Sequence, residues 1–178
     1  MKGAGADSQE GESAMPVIFN ADEVVGMAVE IERNGQKFYA RGAEVVSDPA
    51  AKKLMTDLVE WEKGHERLFQ GLREELTDEE RASTAFDPDG EMELYLKAMA
   101  GERVFTKKTD PATLIADDAS VADILKTALG LERDSILFYV AIKGAVPKRL
   151  GPDKVEALIR EEMSHVVYLQ KQLEELAK

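Results

Sequence analysis

The 178-residue chain contains no cysteine, only two histidines, a single tryptophan and 6% aromatic residues. Without cysteine there is no disulfide framework, thiolate zinc site, iron–sulfur cluster or thiol nucleophile, and nothing in its redox chemistry points to secretion; a cytoplasmic protein is expected. Basic charge is also short, with 23 Lys and Arg against 35 Asp and Glu and a formal net charge of −12. A field of that sign repels phosphate backbones and anionic lipid, which argues against nucleic acid and membrane surfaces as partners and favours cations. No apolar run approaches the roughly 18 residues a membrane span needs. The first sixteen residues, rich in Gly, Ser, Ala and Glu, lack the basic and apolar segments of a secretory leader and are expected to form a flexible tail. Residues 17–178 then make one domain, in keeping with about 100–200 residues per domain.

What is present is helical pattern. Asn20 and Glu23 form a capping-box signature, with Phe19 and Val24 placed as a hydrophobic staple. From there Val24, Ala28, Ile31, Gly35, Phe38, Gly42 and Val45 recur on one face, predicting a helix to about Val46. Asp48 and Pro49 restart the chain as N-cap and first helical residue. The second helix carries Ala51, Leu54, Leu58, Glu62, His65, Phe69, Leu72 and Leu76 on one stripe and should end near Thr77. Residues 78–119 read as a long crossover with one shorter helix from about Glu91 to Arg103. Ser120 and Asp123 resemble a second capping box, opening a helix with Val121, Leu125, Ala128, Glu132, Ser135, Tyr139, Ile142 and Val146 on one line before Pro147 stops it. The last helix follows Gly151 and Pro152 and aligns Val155, Leu158, Glu162, His165 and Leu169. With no alternating strand pattern, the expectation is an all-α antiparallel four-helix bundle made of two hairpins, residues 20–77 and 120–178, joined by the crossover.

The two hairpins are copies. Sliding the chain by 100 positions aligns 22–76 with 122–176 without a gap, pairing Ala28 with Ala128, Glu32 with Glu132, Phe38 with Phe138, Tyr39 with Tyr139, Leu58 with Leu158, Glu62 with Glu162 and His65 with His165. The four glutamates fall in lines of small or apolar residues, where an unpaired carboxylate costs several kcal/mol and four together also repel one another. No Lys or Arg shares their level on the stripes, so the compensating charge must come from elsewhere. Glu62 with His65 and Glu162 with His165 stand at i, i+3, each pair projecting from one helix face. Bundles that hold two iron or two manganese ions use this pattern: a Glu from each of two helices and a Glu-x-x-His from each of the other two. Four carboxylates and two neutral imidazoles balance two divalent cations. Glu32, Glu62, His65, Glu132, Glu162 and His165 are therefore the candidate metal ligands. Ala28 and Gly35 leave room beside Glu32 for ions and an exogenous ligand. Tyr39 and Tyr139, two turns beyond Glu32 and Glu132, are the candidates for a catalytic role through hydrogen bonds to a metal-bound carboxylate or oxygen species. Phe38, Phe138, Trp61 and the leucines read as core or interhelical packing, and Met27, Met55, Met92, Met99 and Met163 as gap-fillers in the core.

The segments EIERNGQKFY around Glu32, EWEKGHERL around Glu62 and His65, GLERDSILFY around Glu132 and REEMSHVVYL around Glu162 and His165 resemble the rubrerythrins, within the ferritin-like di-iron carboxylate superfamily. The resemblance spans the two hairpins. It implies a ferritin-like bundle with a non-haem di-iron centre that reduces hydrogen peroxide to two waters, or handles dioxygen, in defence against oxidative stress. It further implies that Glu62 and His65 hold one end of the site, Glu162 and His165 the other, and that Glu32 and Glu132 complete or bridge the pair, with Tyr39 and Tyr139 matching tyrosines that contact those ligands. Two departures stand out. The chain has no cysteines for a rubredoxin-like iron module, so electrons are expected from an external donor such as a rubredoxin-like protein. Ser135 occupies the position of an additional family glutamate. The cofactor expectation is two iron ions, with manganese or zinc as alternatives. The alternative function is an iron or other divalent metal-binding or trafficking protein, ferroxidase-like but without peroxidase turnover. A homodimer, with hairpins exchanged through the long crossover, is the expected assembly.

Overall fold

The computed structural model describes residues 20–82 and 110–177, and among them helices and turns are present but no strand. Helix α1 spans Ala21–Val45 and α2 spans Pro49–Glu74. A short α3, Asp78–Ala82, and a 3-10 turn, Pro111–Leu114, stand at the two described ends of the crossover. Helix α4 spans Val121–Ile142 and α5 spans Pro152–Leu176. The expected flexible tail, Phe19 and the expected helix over 91–103 lie outside the described residues.

Local chemistry explains each start. The Asn20 side chain accepts from Glu23 N at 2.9 Å while the Glu23 carboxylate accepts from Asn20 N at 3.0 Å, the reciprocal box expected of that pair. Asp48 accepts from Ala51 N at 2.8 Å, with Pro49 at the first position of α2, where no N–H is needed. Ser120 accepts from Asp123 N at 3.2 Å and donates its hydroxyl to the same residue's carboxylate at 2.6 Å. Gly151, at φ +77, makes the left-handed turn into α5 that a side-chain-bearing residue would adopt only under strain.

The ends depart modestly from the periodicity. Helix α2 stops at Glu74 rather than Thr77, because Thr77 caps the next element, its hydroxyl accepting from Glu80 N and its own N–H donating to the Glu80 carboxylate. Helix α4 gives way at Ile142 to a 3-10 turn over Lys143–Ala145, so the α-helical geometry is lost before Pro147 is reached.

Each long helix contributes to two apolar clusters separated by the level of the glutamates. One cluster takes Val24 to Ile31 from α1, Phe69 and Leu72 from α2, Phe138 to Ile142 from α4 and Val155 to Ile159 from α5. The other takes Phe38 and Tyr39, Leu54 to Leu58, Ile124 to Leu129 and Leu169. The order along each chain segment makes both hairpins antiparallel and sets α1 and α5 in one direction, α2 and α4 in the other. Trp61, 39% exposed, is interhelical packing rather than core, resting against α5, and Met163, 55% exposed, is not in the core; each sits one residue off the buried line of its helix. No helix among the described residues is long and apolar enough to cross a membrane.

Candidate metal centre

Between the two clusters lies a layer of buried polar side chains: Glu32, Glu62, His65, Glu132, Glu162, His165 and Ser135. The six candidate ligands are thus brought together, one Glu from α1 and one from α4, a Glu and a His from α2 and the same pair from α5. Among the described residues no Lys or Arg pairs with any of the four carboxylates, and their ion-pair partners are the two imidazoles.

The donor atoms form two groups, Glu32, Glu62, His65 and Glu162 in one and Glu132, Glu162, His165 and Glu62 in the other, each within 4.8 Å of one another. The repeat converts one group into the other. Glu62 and Glu162 belong to both groups, whereas Glu32 and Glu132 each complete one. The reason is visible at Glu162, whose Oε1 is 2.8 Å from His65 Nδ1 and whose Oε2 is 2.9 Å from His165 Nδ1.

Two atoms in the layer are buried without a hydrogen-bond partner, Glu32 Oε2 and His65 Nδ1. The His65 Nδ1 contact to Glu162 is short enough for a hydrogen bond but not directed as one. Buried polar atoms left this way are costly, and a carboxylate oxygen facing an imidazole nitrogen lone pair is the donor set a divalent cation takes. The residues present therefore fit a di-metal site.

The electrostatics of the protein alone agree. Burial pushes the carboxyls of Glu62 and Glu132 well above the usual range, and the neighbouring carboxylates push them further. Burial also opposes a charged His65, but the Glu162 and Glu32 carboxylates outweigh it and hold this imidazole up to about 11. Glu162 goes the other way: against the effect of burial, the hydrogen bond from His165 and the close approach of the His65 imidazole bring it to about 2. The chain alone thus stores protons where cations would otherwise supply the charge.

Tyr39 and Tyr139 reach the layer from the opposite hairpin. Tyr39 donates to Glu132 Oε1 and Tyr139 to Glu32 Oε1, so each steadies the carboxylate of the other repeat rather than its own. Burial, with nearby carboxylates, raises both phenols well above their ordinary value and keeps them protonated donors.

A cavity of about 30 Å³ abuts the layer, bounded by Gly35, Tyr39, Glu62, Glu132 and Ser135 and closed by Pro111 and Leu114 of the crossover. It has room for about one water-sized molecule. The space expected beside Glu32 is therefore at Gly35 and not at Ala28, which is packed in the apolar core. A Cβ on Gly35 would stand 3.0 Å from the Glu62 carboxylate.

The sequence reading missed two contacts on the outer side of the histidines. Trp61 stacks on His165, ring centroids 4.7 Å apart and planes 11° from parallel. Glu161 Oε2 lies 3.3 Å from His65 Nε2. Both residues immediately precede a shared glutamate, and alignment of the two repeats would have flagged position 61 and 161 as unlike.

No family model matches the chain, and no curated protein matches it in sequence. Among solved structures, one described as a ferritin-like diiron-carboxylate protein from Thermotoga maritima superposes with a TM-score of 0.67 at 19% identity, covering 89% of this chain and 97% of that one. At that identity the likeness is one of fold, and it makes this chain a helical bundle of the ferritin-like type.

Proposed function

We propose that the chain is a rubrerythrin-like non-haem di-iron protein that reduces hydrogen peroxide with electrons from an external donor. The observation that carries the reading is the repeated Glu-x-x-His on α2 and α5, meeting Glu32 and Glu132 in a dry layer that holds two unpartnered donor atoms. Glu32, Glu62, His65 and Glu162 would hold one ion and Glu132, Glu162, His165 and Glu62 the other.

Two iron ions in such a set supply one-electron redox equivalents and Lewis acidity. The chain's own residues prepare the site. Tyr39 and Tyr139 fix the orientation of Glu132 and Glu32. Ile31, Leu131 and Leu114 line the cavity with apolar surface, and its small volume restricts what can stand beside Glu62 and Glu132 to a ligand of very few atoms. Reduction breaks one O–O bond and consumes two electrons and two protons to give two waters. The electrons come from the donor, since the chain lacks the cysteines of a second iron site.

Ser135 favours a second reading. Its hydroxyl donates to Leu131 O at 3.1 Å, so the position brings no further carboxylate to the layer. A protein that binds or passes on iron, manganese or zinc without peroxide turnover would have the same ligands.

The experiment is to measure metal content and then follow oxidation of the reduced protein. About two iron ions per chain, oxidised faster by peroxide than by dioxygen and turning over with a supplied donor, support the peroxidase. Two ions without turnover support the metal-binding reading. Metal near zero, unchanged by Glu62→Ala, overturns both.

A further inference from the structure

On the outer side of the two histidines the repeat fails at the residue before each shared glutamate, Trp61 on α2 and Glu161 on α5. Each contacts the histidine of the opposite hairpin from outside. Glu161 Oε2 approaches His65 Nε2 at 3.3 Å, while Trp61 covers the ring of His165 at 4.7 Å. The two ligand histidines are therefore held by different chemistry.

A neutral imidazole carries one N–H. With Nε2–H donated to Glu161, the Nδ1 lone pair of His65 faces Glu32 and Glu162, where a cation would sit. A carboxylate on the far nitrogen also makes the near one a better electron donor. Among the described residues His165 has no such partner: both its carboxylate contacts, Glu162 and Glu132, are at Nδ1. An indole stacked on the ring holds its plane but neither selects the tautomer nor adds negative charge.

We infer that Glu161 is a positioning residue that makes the His65 half of the centre the tighter of two unequal cation positions. This rests on the di-metal reading above. The duplicated donor set makes the inference specific, since the repeat gives both histidines the same neighbours on the glutamate side and positions 61 and 161 are where their outer contacts differ.

The test titrates metal-free protein with Co²⁺ or Mn²⁺ by calorimetry, with Trp61 fluorescence as a second signal. Trp61 is the single tryptophan of the chain and touches His165, so its emission follows the His165 half most closely. The wild-type protein should bind in two steps, with most of the fluorescence change in the second. E161Q should weaken the first step about 10–100-fold and leave the second within about threefold. The side chain of Glu161 is 65% exposed, so the substitution does not threaten folding. E60Q removes the same charge from an exposed neighbour that pairs with Lys63, and should leave both steps within about threefold.

Two indistinguishable steps in the wild type overturn the inference while leaving the di-metal reading intact. So does an E161Q protein with both steps weakened alike, or with neither changed. Absence of any uptake overturns the di-metal reading itself.

Discussion

Tyr39 on α1 donates its hydroxyl hydrogen to Glu132 on α4, 93 residues away, and Tyr139 returns the same bond to Glu32. These two bonds join the hairpins across the polar layer. Tyr39→Phe leaves a buried Glu132 oxygen without its donor, which costs about 1–3 kcal/mol. Urea melts of Tyr39→Phe and Tyr139→Phe should show losses of that size, similar to each other because the repeat makes their surroundings similar.

Cation binding should stabilise the fold strongly, since the layer that it neutralises is shared by all four long helices. At free metal about 100-fold above the dissociation constant the gain is about 2.7 kcal/mol. Chelation should lower the melting temperature correspondingly, and Glu62→Ala, which removes a carboxylate common to both donor groups, should abolish the difference between metal-loaded and chelated protein.

The proton inventory sets the pH dependence of the metal-free protein. Glu62 and Glu132 are raised by burial, so the folded state takes up protons there and stability falls as pH rises above their unfolded range near about 4.5. His65, held up to about 11, contributes fully below its unfolded value of about 6.5 and loses that contribution as pH approaches 11. Glu162, at about 2, acts oppositely, losing its contribution only as pH falls from about 4.5 towards 2. The metal-free melting temperature should therefore peak in weak acid and fall as the pH rises above about 5, the His65 contribution being lost between about 6.5 and about 11. Cation binding displaces these protons, so affinity should rise over the same range, and calorimetry in buffers of different ionisation enthalpy should detect proton release.

Two glycine substitutions should separate site from scaffold. Gly35→Ala places a Cβ 3.0 Å from the Glu62 carboxyl carbon, so the carboxylate must move and metal affinity should drop while the helical circular dichroism signal is retained. Gly130→Ala, in the middle of α4 with no neighbouring atom within 4 Å, should raise stability by about 0.5–1 kcal/mol through reduced chain entropy. Equal effects of the two on metal binding would count against the close approach at Gly35.

The helices and the six clustered Glu and His side chains were legible in the chain because their signals are local. Caps such as Asn20 with Glu23 and Asp48 before Pro49 act within one turn, and i, i+3 spacing guarantees that Glu62 and His65 share a face. The 100-residue repeat then turned two weak motifs into one constellation. For Trp61 the sequence left core and interhelical packing open, because composition says only that it is apolar. Its place beside Glu62 turns it off the buried stripe, and its contact is a histidine on another helix.

Helix type, hairpin order and the choice of candidate ligands follow from residue spacing alone, since each depends on what lies within a few residues along one helix. Packing decided that Glu62 and Glu162 belong to both donor groups while Glu32 and Glu132 each belong to one, and that each tyrosine reaches the other repeat's carboxylate. It also set Glu161 against His65 and Trp61 against His165. Spacing specifies which side chains leave a helix together, but only the way the hairpins meet specifies what they touch.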